Sequence, residues 1–345
     1  MAKRPEVSEE RESERHGSLR VRIIPFVDRY GIILVVVAMG LVLTLLKPDV
    51  FFTWRNLTNV TRQIGVNSTL ALGQFLVIVT AGIDLSVGSV MALAMVTLAQ
   101  ANAAGWPWYI VIFIGPLVGL SFGLFNGLAL TKLHLPHPFI VTLGTLNIAR
   151  GLTNIVSGGV PVSGLYEQVR FLGFSSISIG SWFGDTRTIP VSIILIGILY
   201  FAFWVFLQHM RKGRHIYALG GNPESARVTG INVDRTLIMV YGLCGALAGT
   251  AGLLLAGRTN SGFPNAGIGA ELDAIAAVII GGASFFGGRG TVWGVLAGAL
   301  IMGLLRNGLN LLNVSVFWQQ ILIGVVIILA VYVDVLRRRA GSGTV

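Results

Sequence analysis

From residue 28 onward the chain is a succession of apolar runs, near 28–46, 63–82, 87–104, 109–130, 138–157, 188–209, 236–257, 272–287, 291–312 and 316–335. A helix needs about 20 apolar residues to cross a hydrocarbon core of about 30 Å. In lipid every backbone N–H and C=O must find its partner within the protein, so such runs fold as helices. The pattern predicts an all-α, polytopic membrane helix bundle of about ten spans, although 272–287 is short for a span. Composition removes the soluble alternative. Only 12% of the 345 residues are charged, against about 25% in an ordinary soluble domain. Thirteen of the 40 charges fall within the first 30 positions, leaving too few to cover a water-facing surface elsewhere. The expected organisation is a polar cytoplasmic tail (1–27), a transmembrane domain (28–338) and a short cytoplasmic tail (339–345).

The net charge of +10 does not point to nucleic acid. Basic residues gather in the N-terminal tail, at Arg211, Lys212 and Arg214, and at Arg337, Arg338 and Arg339. Each group abuts an apolar run and lacks interleaved aromatics, which is the signature of membrane orientation rather than of a phosphate-binding stripe. With ten spans, placing both termini inside collects 17 Lys and Arg on the cytoplasmic side and leaves six outside: Lys47, Arg55, Arg62, Arg170, Arg187 and Arg258. Both tails are therefore expected in the cytoplasm. Arg150 and Arg306 fall within the runs and belong to neither count.

Glycine repeats at Gly115, Gly119, Gly123 and Gly127, at Gly245 and Gly249, and at Gly294 and Gly298 each line one helix face. Small residues permit close helix approach where lipid provides no hydrophobic drive. Two readings stand: fixed packing, or smooth faces that slide during a transport cycle. Ala81-Gly82 with Gly88-Ser89 is echoed 200 residues later by Gly281-Gly282 with Gly288. Both stretches fall on the same side and in the same direction, so they do not fit an inverted repeat. Duplication and chance likeness of two turns both account for them. The single cysteine, Cys244, excludes an intrachain disulfide and a thiolate metal cluster.

No catalytic motif is present. G-x-x-x-x-G-K-[ST], G-x-S-x-G and H-E-x-x-H are all missing, so no nucleotide site, hydrolase nucleophile or zinc helix is expected. His134 and His137 flank a Leu-Pro turn without a third ligand nearby. Charges within the apolar runs look nearly absent, whereas ion-coupled carriers place them near the midplane. Uncharged polar groups occur instead, among them Asn67, Gln74, Thr142 and Asn147. They suit either interhelical hydrogen bonds or a neutral hydroxylated solute. In the stretch from Gly82 to Ser89, Asp84 and Ser86 read either as caps of the following helix or as a backbone break lining the pathway.

The loop 211–235 carries five basic residues and must lie outside the bilayer. Within it Asn222 suits an N-cap, Pro223 the first helical position, Glu224 the positive end of the helix dipole and Gly230 a left-handed stop. A two-turn helix over 223–229 follows. Alone it is marginal in water, so it is expected to dock on a partner.

Here the chain resembles a known family. Glu224-Ser225-Ala226-Arg227-Val228-Thr229-Gly230 is similar to the E-A-A-x-x-x-G loop of permeases in binding-protein-dependent ABC importers. Together with Tyr217 to Arg227, Gly82-Ile-Asp-Leu-Ser-Val-Gly-Ser89, Pro138-Phe-Ile-Val-Thr-Leu-Gly-Thr145 and the glycine-rich stretch from Ile279 to Thr291, it resembles the monosaccharide permeases of ribose, xylose and autoinducer-2 type, within the branched-chain amino acid and monosaccharide permease family. The I-x-L-P ending of the longer pattern is absent at 240–243. The resemblance implies a multi-pass bacterial inner-membrane subunit that works as a homodimer in lipid. Its partners would be a cytoplasmic ABC ATPase, which holds the ATP and Mg, and a periplasmic sugar-binding protein, with no cofactor or metal in this chain. Coupling to the ATPase would fall to Asn222, Pro223, Glu224, Ser225, Ala226, Arg227 and Gly230. A translocation pathway would involve Asn67, Gln74, Asp84, Ser86, Thr142 and Asn147. The alternatives are a secondary carrier for a neutral solute, a branched-chain amino acid ABC permease and, lacking any catalytic constellation, a membrane-embedded enzyme.

Overall fold

The computed structural model describes residues 31, 34–133, 135–182 and 185–342. The tail 1–27 and His134 lie outside them, as does the end of the 339–345 segment. Each of the ten apolar runs coincides with a helix: α1 Leu34–Leu46, α2 Trp54–Val79, α3 Val87–Ala103, α4 Trp108–Lys132, α5 Pro138–Ser157, α7 Val191–His209, α10 Val233–Thr259, α11 Ala270–Ile280, α12 Val292–Leu311 and α13 Val316–Ser342. Three shorter helices complete the set: α6 Glu167–Gly173, α8 Arg211–Gly221 and α9 Pro223–Val228. Among the described residues six helices, α4, α5, α7, α10, α12 and α13, are long and apolar enough to cross a membrane. The polytopic all-α class stands, with two small antiparallel ladders added: β1 Val162–Ser163 with β4 Ser261–Gly262, and the hairpin β2 Ser176–Trp182 with β3 Asp185–Pro190.

Two run boundaries need correction. α2 begins at Trp54, nine residues before the apolar run at 63, because Thr53 caps it by accepting from the Asn56 N–H. Its polar N-terminal turns rest under the β2–β3 hairpin, where the Trp54 indole donates to the Thr188 carbonyl and Arg62 to the Ser176 hydroxyl at 2.6 Å. The run at 272–287 holds only an 11-residue helix, about 16 Å long at 1.5 Å per residue. The rest of that passage is non-helical, a two-residue strand and turns before α11 and further turns after it. Beyond α10 the segment 261–269 descends along α3, with Gly262 against Met95 and Ala99, and Gly267 against Gly88 and Met91. Non-helical backbone at this depth needs partners in the protein. Arg150 supplies them, its Nη1 donating to the carbonyls of Pro264 at 2.7 Å and Ala266 at 2.8 Å.

The glycine repeats meet one another. Gly115, Gly119 and Gly123 of α4 lie against Gly249, Gly245 and Tyr241 of α10, so that a Cβ on any of them would strike backbone carbonyl oxygen. Gly294 and Gly298 of α12 fit in the same way against Gly281 and Ala277. The main core joins the C-terminal half of α2 with α3, α10, α11 and α12 and with one face of α7. Cys244 is buried within it, its Sγ facing Gly73.

The similar turns at 81–88 and 281–288 are two helix stops of one kind. Ala81 (φ 59°) and Gly282 (φ 86°) take the left-handed conformation. The next amide in each case reaches back five residues, Gly82 to Val77 at 3.0 Å and Ala283 to Val278 at 3.2 Å. This is a Schellman-type closure, which glycine-rich sequence favours wherever a helix ends.

Candidate functional site

The loop 211–235 folds as two helices rather than one. α8 turns sharply off α7 at Met210 (ψ 147°) and buries Gly213, Ile216, Leu219 and Gly220. α9 follows at once and is shorter by one residue than the sequence predicts, with Thr229 as its C-cap. The Asn222 Oδ1 accepts from the Ser225 N–H at 2.9 Å, with Pro223 at the first position. Gly230 (φ 83°) closes the far end: its N–H bonds to the Arg227 carbonyl and the Ile231 N–H to the Ala226 carbonyl, both at 3.0 Å. Of the seven residues assigned to coupling only Ala226 is buried; Asn222, Pro223, Glu224, Ser225, Arg227 and Gly230 are exposed. Val228, 81% exposed, adds an apolar contact to a surface that otherwise offers one acid and one base. A helix stapled at both ends by its own caps, with only one side chain turned inward, presents a rigid surface.

The intramembrane polar residues divide into a buried network and an exposed face. Asp84 is 1% exposed. Its Oδ1 accepts from the Ser86 N–H at 2.9 Å and the Ser86 Oγ at 2.6 Å, and its Oδ2 accepts from Asn126 at 3.4 Å. Asn126 donates also to Ser86 Oγ at 3.0 Å and accepts from Thr145 at 2.6 Å. Gln74, oriented to satisfy both its amide atoms, donates to the Asp84 carbonyl at 3.1 Å and accepts the Asp84 N–H at 3.2 Å. Thr142 is closed off beside the carbonyls of Ile83 and Phe139. The unwound stretch between α2 and α3 is thus pinned from α2, α4 and α5. Ser86 occupies the N-cap position of α3 but makes no side-chain cap bond, its hydroxyl donating to Asp84 instead. Asn126 lies six residues before the end of α4 and Thr145 seven residues after the start of α5, so the network is about 10 Å into the helices at 1.5 Å per residue.

Asn147 is exposed on α5, and Asn67 is half-buried on α2. The α5 face carrying Asn147 includes Gly144, Gly151 and Asn154. Each amide is tied back to its own helix, Asn147 to the Leu143 carbonyl and Asn154 to the Arg150 carbonyl.

The expectation that charge is nearly absent from the interior does not hold. Arg150 lies 12 residues into α5 and binds the descending segment. Glu271 and Asp273 occupy the first turn of α11. Asp273 pairs with Arg306 of α12 at 2.5 Å. The sequence signal was the acidic pair opening a short apolar run opposite basic residues set within others; distance along the chain conceals that they meet. On α8, burial pushes the Tyr217 hydroxyl above the ordinary tyrosine range. It remains protonated and donates to the Gly290 carbonyl at 3.0 Å.

Among the described residues no group of three or more His, Cys, Asp or Glu is placed to hold a metal ion.

The model of the family described as "Branched-chain amino acid transport system / permease component" matches residues 56–331. The chain is 42% identical over 310 residues to the ribose import permease protein RbsC of Escherichia coli (strain K12), covering 89% of this chain and 93% of that protein. It is 39% identical to the D-allose transport system permease protein AlsC of the same strain, over 90% of this chain and 92% of AlsC. To the xylose transport system permease protein XylH of Haemophilus influenzae (strain ATCC 51907 / DSM 11121 / KW20 / Rd) it is 35% identical, over 82% and 90%. No solved structure matches.

Proposed function

The chain belongs to the branched-chain amino acid transport system / permease component family, and from that premise we propose that it is the membrane-spanning subunit of a bacterial inner-membrane ABC importer for a monosaccharide. The observation that carries the sugar reading is near-full-length likeness to permeases named for ribose, D-allose and xylose, whereas the family description alone also covers amino acids. The three relatives carry different sugars at 35–42% identity, so the reading extends to the class, with ribose the first substrate to try.

In this reading the chain is not an enzyme. ATP and Mg2+ are bound by a separate cytoplasmic cassette ATPase, which docks on α9 through Glu224, Arg227 and Val228. The exposure of that capped helix supports the assignment. A periplasmic sugar-binding protein delivers substrate to the opposite side. A second copy of the chain completes the pathway. The α5 face supports this: amides such as Asn147 and Asn154 are costly against hydrocarbon, so the face turns to water, to sugar or to a partner copy. Asn147 then lines the route, and half-buried Asn67 on α2 is assigned to it as well. Gln74, Asp84, Ser86 and Thr142 hold the break at its cytoplasmic end.

The test is reconstitution with the cassette ATPase and sugar-binding protein encoded beside it, in lipid vesicles. MgATP-dependent ribose uptake, stimulated by the binding protein, is the expected result. Sugar accumulation by the permease alone under an ion gradient would overturn the reading in favour of a secondary carrier. Stimulation by leucine-loaded but not sugar-loaded binding protein would move it to the amino-acid branch.

A further inference from the structure

The two helix stops and α8 converge on one point beneath the bundle. The Gly288 N–H donates to the Val79 carbonyl at 2.9 Å, joining the α11–α12 turn to the end of α2. Gly220, in the last turn of α8, lies directly on this clasp: a Cβ there would fall on the Val79 oxygen and stand 2.7 Å from the Gly288 nitrogen. From the other side, a Cβ on Gly287 would stand 2.8 Å from the Gly220 carbonyl and 2.9 Å from the Ala81 nitrogen. One turn earlier on α8, the Tyr217 hydroxyl donates to the Gly290 carbonyl. Gly221 follows Gly220, and the next residue is Asn222, the N-cap of α9. No slack separates the exposed helix from the clasp.

Three backbones in contact leave no side chain between them to deform, and close-packed interiors pass displacement on instead of absorbing it. The stops joined here precede the two helices α3 and α12. We propose that α8, through Gly220 and Tyr217, is the transmission element of the transporter: movement of α9 shifts the Val79–Gly288 clasp as a unit and so moves the starts of α3 and α12 together. Gly220 and Tyr217 are positioning residues in this scheme and touch neither nucleotide nor sugar. The proposal rests on the importer reading, since it requires a partner that moves α9.

The test uses the full complex with its cassette ATPase in nanodiscs, reading ATP hydrolysis with and without D-ribose-loaded binding protein, alongside D-ribose uptake in vesicles. Tyr217→Phe removes one hydrogen bond and keeps the ring. Gly220→Ala forces the clasp apart. Gly221→Ala is the control, since a Cβ there has nothing within 4 Å. Tyr217→Phe is expected to co-purify with the ATPase, to keep basal hydrolysis, and to lose binding-protein stimulation about fivefold, the coupling equivalent of one hydrogen bond. Gly220→Ala is expected to lose more, and Gly221→Ala nothing. Wild-type stimulation in Tyr217→Phe, while Glu224 and Gly230 variants still uncouple, overturns the transmission role and leaves the importer standing. Equal losses in Gly220→Ala and Gly221→Ala overturn it too. Should Gly220→Ala fail to assemble, Tyr217→Phe alone decides. A wild-type complex that never responds to any loaded binding protein counts instead against the importer reading.

Discussion

Gly119 of α4 and Gly245 of α10 face each other so closely that a Cβ on either would strike the carbonyl oxygen of the other. The contact is reciprocal, so neither helix can yield without rebuilding both. Gly119→Ala and Gly245→Ala are expected to destabilise the detergent-solubilised protein by about 1–3 kcal/mol, the usual cost of overpacking. Gly144→Ala, where a Cβ meets nothing within 4 Å, should be close to neutral. Thermal unfolding of the three purified variants checks the ranking, and equal melting temperatures would contradict the packing described.

Replacing Asp84 separates acceptor from charge. Asp84→Asn keeps an oxygen for the Ser86 hydroxyl, whereas Asp84→Ala strands the Ser86 N–H and hydroxyl and leaves the Asn126 amide only its bond to Ser86 Oγ. Unpaired buried donors cost about 1–3 kcal/mol apiece. The alanine variant should therefore melt well below the asparagine variant. If both melt alike, the network does not hold the break between α2 and α3.

Asp273→Ala leaves Arg306 without its carboxylate inside the bundle. Arg306 is 37% exposed, so the loss is expected at about 1–2 kcal/mol, below the figure for a fully buried pair. The double variant Asp273→Ala with Arg306→Leu should recover part of it. A double-mutant cycle on unfolding midpoints shows whether the two changes are coupled; strict additivity would mean the pair contributes nothing.

Asn222→Ala removes the cap of a six-residue helix at about 1 kcal/mol. The core contains almost none of α9, so the global melting temperature should hold. Retention of the cassette ATPase during purification should fall about fivefold, by the conversion of that energy. Undiminished retention would place the docking surface elsewhere.

Asn147→Leu puts an apolar side chain on an exposed face of α5 and breaks only a bond to its own helix. Stability should be unchanged within about 0.5 kcal/mol, as for exposed changes generally, while MgATP-driven ribose uptake drops. Full uptake would remove Asn147 from the route.

The helices are legible in the sequence because lipid leaves an apolar run no other fold, and α9 because its caps are local: Asn222 and Gly230 act on backbone within three residues. What escapes is anything decided by neighbours far along the chain. The hairpin that covers the polar first turns of α2 lies more than 120 residues later, although the Thr53 cap that starts the helix is local. The shortness of α11 goes with the turns at 264–269, whose Pro264 and Ala266 carbonyls are held by Arg150. Gln74, Asp84 and Thr142 are readable as polar residues in apolar runs, but they meet only where the break after α2 is bonded from α2, α4 and α5. α8 escapes because its helix is made by the glycines it packs with, Gly213 and Gly220, which locally read as breakers.

Cys244, walled in against Gly73, leaves the surface of the molecule without a native thiol. Any cysteine introduced at an exposed position can therefore be labelled alone, with the wild-type residue kept in place. A fluorophore at Val228 would report cassette arrival, and a second at Asn147 would report changes at the sugar route, each read from one intact and otherwise unaltered transporter.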